Sequence, residues 1–154
     1  MITRPSAATL LEVICEELNS TVAPAVTNAG ALQALAMVGE VVKMVANRCD
    51  HEIGWMVEEI ATIEALCDRV IEGGLDVDGS ITAGLLELRS ATLRYDTAAL
   101  TARYSDASEL LSKCLETTML VGGDIRVAAE GALKMRADHE ASLRGVIEGL
   151  VGRG

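Results

Sequence analysis

The sequence predicts an all-α protein: a helical bundle of five to six helices with an antiparallel up-and-down core and a long C-terminal helix. Three observations carry that expectation. Half of the 154 residues are hydrophobic, yet aromatics are 2% and Phe is absent. Such an aliphatic, Ala-rich supply suits closely packed helices better than sheets, which draw on aromatic and β-branched side chains. The prolines are Pro5 and Pro24, so everything after residue 24 lacks an obligatory helix breaker. Apolar residues recur at steps of three and four, without strand-like alternation. A chain of this length suits one domain spanning residues 1–154.

Pro5-Ser6 opens the first helix, whose stripe is Ala7, Leu10, Leu11, Ile14 and Leu18. Pro24 marks a boundary, and Thr27 or Asn28 can cap a second helix carrying Leu32, Leu35, Val38, Val41, Val42 and Val45 inward. That helix is expected to end around Asn47 to Asp50. A third, from about Ile53 to Ile71, turns Met56, Val57, Ile60, Ile63, Cys67 and Val70 inward and stops at Gly73-Gly74. Asp76 to Ser80 is a loop capping a fourth helix with Ile81, Leu85 and Leu88. The path near Tyr95-Asp96 is a continuation or a break.

Ser105-Asp106 is expected to cap a fifth helix with Leu110, Leu111, Cys114 and Thr118 on one face. Gly122-Gly123 combines a stop with a start. The last helix then runs from about Asp124 to Leu150 with a seam of Ile125, Ala128, Ala132, Met135, His139, Val146 and Leu150. Residues 105–154 thus form a C-terminal helical hairpin.

The net charge is −10 and no run of basic residues interrupts it, so nucleic acid and anionic bilayers are unfavourable partners. Leu18 to Gly39 contains no charged side chain, but Asn19, Pro24, Asn28 and Gln33 make it a poor membrane span, and an acidic helix precedes it. It reads as a helix end, a turn and the start of a buried helix in a cytoplasmic protein. Cys15, Cys49, Cys67 and Cys114 form no Cys-x-x-Cys pair, which favours reduced, buried thiols.

No chemical motif assembles. Asp76-Val77-Asp78-Gly79-Ser80-Ile81 overlays part of a calcium loop, but the position that must supply a bidentate carboxylate is Leu85. The two aspartates suit helix capping instead. Arg48 and Arg136 stand where Glu-x-x-His pairs would need glutamate, and Cys49-Asp50-His51-Glu52 has no second cluster to complete a zinc site. Neither a metal nor another cofactor is expected. Glu16-Glu17 and Glu58-Glu59 read as solvated faces, about 100° apart on a helix. His139 lies on the final apolar seam and reads as a hydrogen-bonded core or interface histidine rather than a catalytic one.

Two groups remain as candidates. Arg89, Arg94, Tyr95, Arg103 and Tyr104 form the one basic and aromatic region; its tyrosines can close one end of the bundle while its arginines pair with surface acids, or it can hold an anion or a partner's carboxylate. Trp55, Met135 and His139 are candidate interface residues.

Arg4-Pro5-Ser6-Ala7 with Leu10-Leu11, Val22-Ala23-Pro24, Leu66-Cys67, Gly74-Leu75-Asp76 and Leu88-Arg89-Ser90-Ala91-Thr92 running to Arg103-Tyr104 carry a further similarity. Over residues 4–104 the chain resembles a family of small uncharacterised bacterial helical proteins. Their genes lie beside aminoglycoside-phosphotransferase-like kinases and acyl-CoA dehydrogenases. Asn28 to Ala36 is neutral and non-aromatic where that family carries charged and aromatic residues. By association the resemblance implies an accessory role. The leading expectation is a non-enzymatic interaction protein, a homo-dimer or a module docking on a partner enzyme. The alternative is a bundle binding an acyl-CoA-like acidic ligand through its arginines.

Overall fold

A computed structural model describes residues 5–92, 94 and 96–144. Among these, five helices carry the chain: α1 (Ala7–Glu17), α2 (Ala29–Glu72), α3 (Ser80–Ser90), α4 (Thr97–Met119) and α5 (Gly123–Arg144). The described residues contain no strand, and the fold is an all-α bundle. The parts of the final seam at Val146 and Leu150 lie outside the described residues.

Local chemistry sets the ends. Ser6 caps α1, its Oγ accepting from the Thr9 amide at 3.2 Å. Pro24 does not produce the expected turn. A π-helical turn over Leu18–Val22 leads into a short helical turn over Ala23–Ala25, where proline's missing N–H costs nothing. Asn28 Oδ1 then accepts from the Ala31 amide at 3.0 Å and opens α2.

The expected second and third helices are one helix, and the break at Asn47 to Asp50 does not occur. Neither proline nor a capping glycine stands there, and Arg48 pairs with Glu52 one turn on. α2 stops where the glycines predicted. Gly74 takes the left-handed conformation at φ +68°, its amide donates to Ile71 O and the Leu75 amide reaches Val70 O, both halves of a Schellman closure. α4 begins eight residues before the expected Ser105, because Asp96 Oδ1 accepts from the Ala99 amide at 3.0 Å and caps it first.

The chain divides into two compact units, Met1–Glu52 with Glu140–Gly154 and Ile53–His139. The second unit has a conventional core. Ile60, Ile63, Leu66 and Val70 of α2 meet Ile81, Leu85 and Leu88 of α3, Leu100, Leu110 and Leu111 of α4, and Ala129 and Ala132 of α5. At Gly84 a Cβ would lie 2.7 Å from Leu110 Cδ2, which shows how closely α3 approaches α4. Val57, expected inward, is exposed.

The first unit is arranged the other way round. Among its described residues the buried ones are small: Ala8 and Cys15 of α1, Gly39 and Ala46 of α2. Cys15 Sγ donates to Gly39 O at 3.4 Å, so the two backbones come close. Of the large side chains expected inward, Leu10 and Ile14 of α1 and Leu32, Val38, Val41 and Val45 of α2 are exposed, while Leu11, Leu18, Leu35 and Val42 are half-buried. The start of α2 is therefore not a buried helix. Burying small residues lets α1 approach α2, and that approach leaves the bulkier stripe on the opposite side.

The two units predict opposite responses to truncation. Leu100→Ala in the second unit removes a side chain of 1% exposure and is expected to cost about 2–5 kcal/mol in urea denaturation. Val41→Ala on the first unit of an isolated chain should change stability by no more than about 0.5 kcal/mol. Equal losses at the two positions would contradict the packing described.

Candidate functional site

The polar groups that stand out are in the second unit, inside its aliphatic core. Glu59 of α2 is only 4% exposed, although the sequence suggested a solvated face for Glu58-Glu59. The helical turn separates the two: Glu58 is largely exposed while Glu59 points inward. A buried carboxylate must find donors, and it finds two. Tyr104 Oη of α4 donates to Oε2 at 2.5 Å, and His139 Nδ1 of α5 lies 2.7 Å from Oε1.

The imidazole is held on further sides. Trp55 stacks on it, ring centroids 4.9 Å apart and 13° from parallel, and Nε2 faces Glu58 Oε2 at 4.0 Å. The Arg136 guanidinium lies 4.9 Å from the Tyr104 ring centroid and donates to Ser108 Oγ at 3.0 Å, while Ser108 Oγ donates to Tyr104 O. Glu59, Tyr104 and His139 thus tie α2, α4 and α5 together, with Trp55 and Arg136 closing over the two rings. Met135, one turn before His139, accepts from Thr62 Oγ1 at 4.0 Å. The three candidate interface residues, Trp55, Met135 and His139, are all engaged with neighbouring side chains of the second unit.

A second network takes up the basic region. Arg103 donates to Glu64 Oε1 and to Leu88 O, each at 2.8 Å, so it also satisfies a carbonyl at the end of α3. Arg89 grips Asp68 with two bonds of 2.9 and 2.6 Å and reaches Glu64 at 3.5 Å. Hydrogen bonding from Arg89 holds the Asp68 carboxyl below its usual range. Arg94 pairs with Asp96 at 2.9 Å, and Tyr95 lies outside the described residues. Of the five residues grouped in the sequence, Arg89 and Arg103 share Glu64, Tyr104 belongs to the Glu59 cluster, and Arg94 stands apart.

Two open grooves mark the surface of this unit. One of about 440 Å³ between α3 and α4 is edged by Glu87, Asp106 and Glu109 with Lys113. The other, about 740 Å³, is lined by Leu75, Val77, Leu120 and Val121 with Asp78 and Glu116. Carboxylates outnumber cations in both, and neither is lined by Arg89, Arg94 or Arg103.

The calcium-like loop caps α3. Asp76 accepts from the Ile81 and Thr82 amides at 3.0 and 2.8 Å and from the Thr82 hydroxyl at 2.6 Å, and Asp78 accepts from the Ser80 amide. Partial burial pushes the Asp76 carboxyl up, but the Thr82 hydroxyl and these amides together outweigh it and hold it below its ordinary value.

Among the cysteines, Cys15, Cys67 and Cys114 are buried and Cys49 is exposed, against the expectation that all four are inward. Cys67 and Cys114 touch, Sγ to Sγ 3.6 Å, at zero exposure. Their shared hydrogen bond draws Cys67 down and pushes Cys114 up. Burial of both sulfurs favours the neutral thiols, so the upward direction governs the pair.

Two outcomes follow for the second unit. Urea denaturation of Glu59→Gln, Tyr104→Phe and the double variant should give a coupling of about 1–3 kcal/mol, whereas additive losses would show that the contact carries no energy. Asp76→Ala should cost about 1–2 kcal/mol at neutral pH. A carboxyl depressed in the fold contributes stability above its unfolded value, about 3.9, and loses it as pH falls through the lower folded value. The Asp76→Ala deficit should therefore shrink below that pH; a deficit unchanged down to pH 2 would rule the cap's charge out.

Comparison with known proteins finds no matching family model, no matching curated protein and no matching solved structure.

Proposed function

We propose that this chain is a non-enzymatic, cytoplasmic helical interaction protein whose first unit is a docking surface for a helical partner. The single observation behind this is the set of large aliphatic side chains left exposed in that unit, Val38, Val41 and Val45 of α2 and Leu10 and Ile14 of α1 among them. Water-facing Leu, Val and Ile recurring at helical spacing run against the ordinary distribution of apolar side chains, and an exposed apolar face of that kind marks an interaction site. The ionisable side chains of the second unit support the reading from the other side. Glu59, Tyr104, Arg89 and Arg103 are consumed in bonds that join helices of their own chain.

The resemblance noted over residues 4–104 supports an accessory partner, an enzyme of the phosphotransferase or acyl-CoA dehydrogenase kind, as one form of the same role. A ligand-binding bundle for acyl-CoA-like acids is less well supported, because Arg89 and Arg103 already hold carboxylates and the grooves are acidic. Membrane insertion is also less favoured. α2 is long and apolar enough to cross a bilayer by length and composition, but Glu40 and Lys43 would then sit within the hydrocarbon.

Chemical protection tests the docking reading whatever the occupant. In a Cys49→Ser background, Val41→Cys should react with a permeant maleimide in intact cells at least about tenfold more slowly than Val77→Cys, whose native side chain is 94% exposed. Equal rates at the two positions would overturn the reading.

A further inference from the structure

Ala34, Val38, Val41 and Val45 follow one another on α2 at steps of four, three and four, which is the spacing of a two-helix seam. All four are exposed, Val38 at 50% and Val41 at 54%. Arg48 and Glu52 continue the same line, so the apolar part is short and bounded. On α1, Leu10, Val13 and Ile14 are each about half exposed as well.

We infer that the occupant of this surface is a second copy of the chain, paired antiparallel through α2 about a twofold axis between Gly39 and Glu40. The inference rests on the docking reading above and names its partner. Charge is the first argument. The whole chain carries −10, so two copies repel unless they meet where that charge is absent. Residues 18–49 hold one carboxylate, Glu40, against Lys43 and Arg48, a net of +1. This stretch lets like-charged molecules approach.

The second argument is self-complementarity, which an isologous contact requires. A spacing of four, three and four reads the same in both directions. About the stated axis, Ala34 faces Val45 of the other copy and Val38 faces its Val41, which places small against large at the ends of the seam. Arg48 then faces Ala31, and Glu52 lies beside the partner helix's N-terminal end near Ala29, where a carboxylate is favoured. Parallel pairing would instead set Arg48 against Arg48 and Glu52 against Glu52. The bounding charges therefore select the antiparallel arrangement.

Sedimentation velocity of the full-length chain at micromolar concentration should give a dimer, and Val41→Glu should raise its dissociation constant at least about a hundredfold. Helical circular dichroism and the Leu100-dependent stability of the second unit should stay unchanged, which separates lost association from lost folding. Direction is read with spin labels on α2 in the Cys49→Ser background. At 1.5 Å per residue, antiparallel pairing puts labels at Lys43→Cys about 10 Å apart along the axis and at Asp50→Cys about 32 Å apart. Equal separations at the two sites would mean parallel helices and would overturn the proposal. So would a monomer at every concentration, or partition onto lipid vesicles without dimer formation. A monomer whose Val41→Cys is still protected in cells would remove the second copy as the occupant and leave the docking role standing.

Discussion

One constraint governs the molecule: a helix rich in aliphatic residues must hide its stripe from water, and each stripe needs a neighbour of matching shape. At about 25 cal/mol per Å² of apolar surface removed, covering a stripe outweighs any single hydrogen bond or surface ion pair in the chain. In the second unit the neighbours come from the same chain, and α2, α3, α4 and α5 supply a shared core. In the first unit Gly39 and Ala46 of α2 are buried and Leu35 and Val42 half-buried, while Val38, Val41 and Val45 stay exposed. The same rule that builds one unit leaves the other with surface still to be covered.

Polar residues inside the second unit add specificity to that packing. An aliphatic core without aromatics has few features that fix how one helix sits against another, since Leu, Ile and Val surfaces accept sliding. Glu59 removes that freedom. Its two oxygens take donors from two different helices, at 2.5 and 2.7 Å, and a shift along either helix would leave a buried carboxylate short of a partner. Glu64 does similar work nearer the surface, joining Arg103 and Arg89 while Arg103 also closes the end of α3. The scarce aromatic residues Trp55 and Tyr104 are both placed around the Glu59 and His139 pair, where rigid rings with polar edges do what aliphatic side chains cannot.

Much of the fold was legible in the sequence because local signals and burial agree there. Gly73-Gly74, Asp76 and Gly122-Gly123 acted as the stops and starts their chemistry implies, and the stripes of α3 and α4 are buried as spaced. The long α2 was missed because polar residues at Asn47 to Asp50 resemble a helix end, while nothing in that run forbids a helix. Tyr104 was singled out, but for the wrong companions, since its bond to Glu59 spans forty-five residues that no local pattern connects. Glu59 itself was hidden for a plain reason. A carboxylate on an amphipathic helix reads as solvent-facing, and only its position one step from Ile60 hints that it shares the buried side.

The apolar stripe of the first unit shows why spacing alone misleads. Periodicity of three and four reports that a face will be covered, and says nothing about what covers it. Sequence reading took Val38, Val41 and Val45 as core because an intramolecular neighbour is the usual answer. Two features of the sequence pointed elsewhere from the start. Gly39 and Ala46 offer α1 a close approach on the other side of the helix from Val38, Val41 and Val45. The local absence of charge in a strongly acidic chain is the second. Helix faces elsewhere in this strongly acidic chain carry carboxylates, and the line from Ala34 to Val45 carries none.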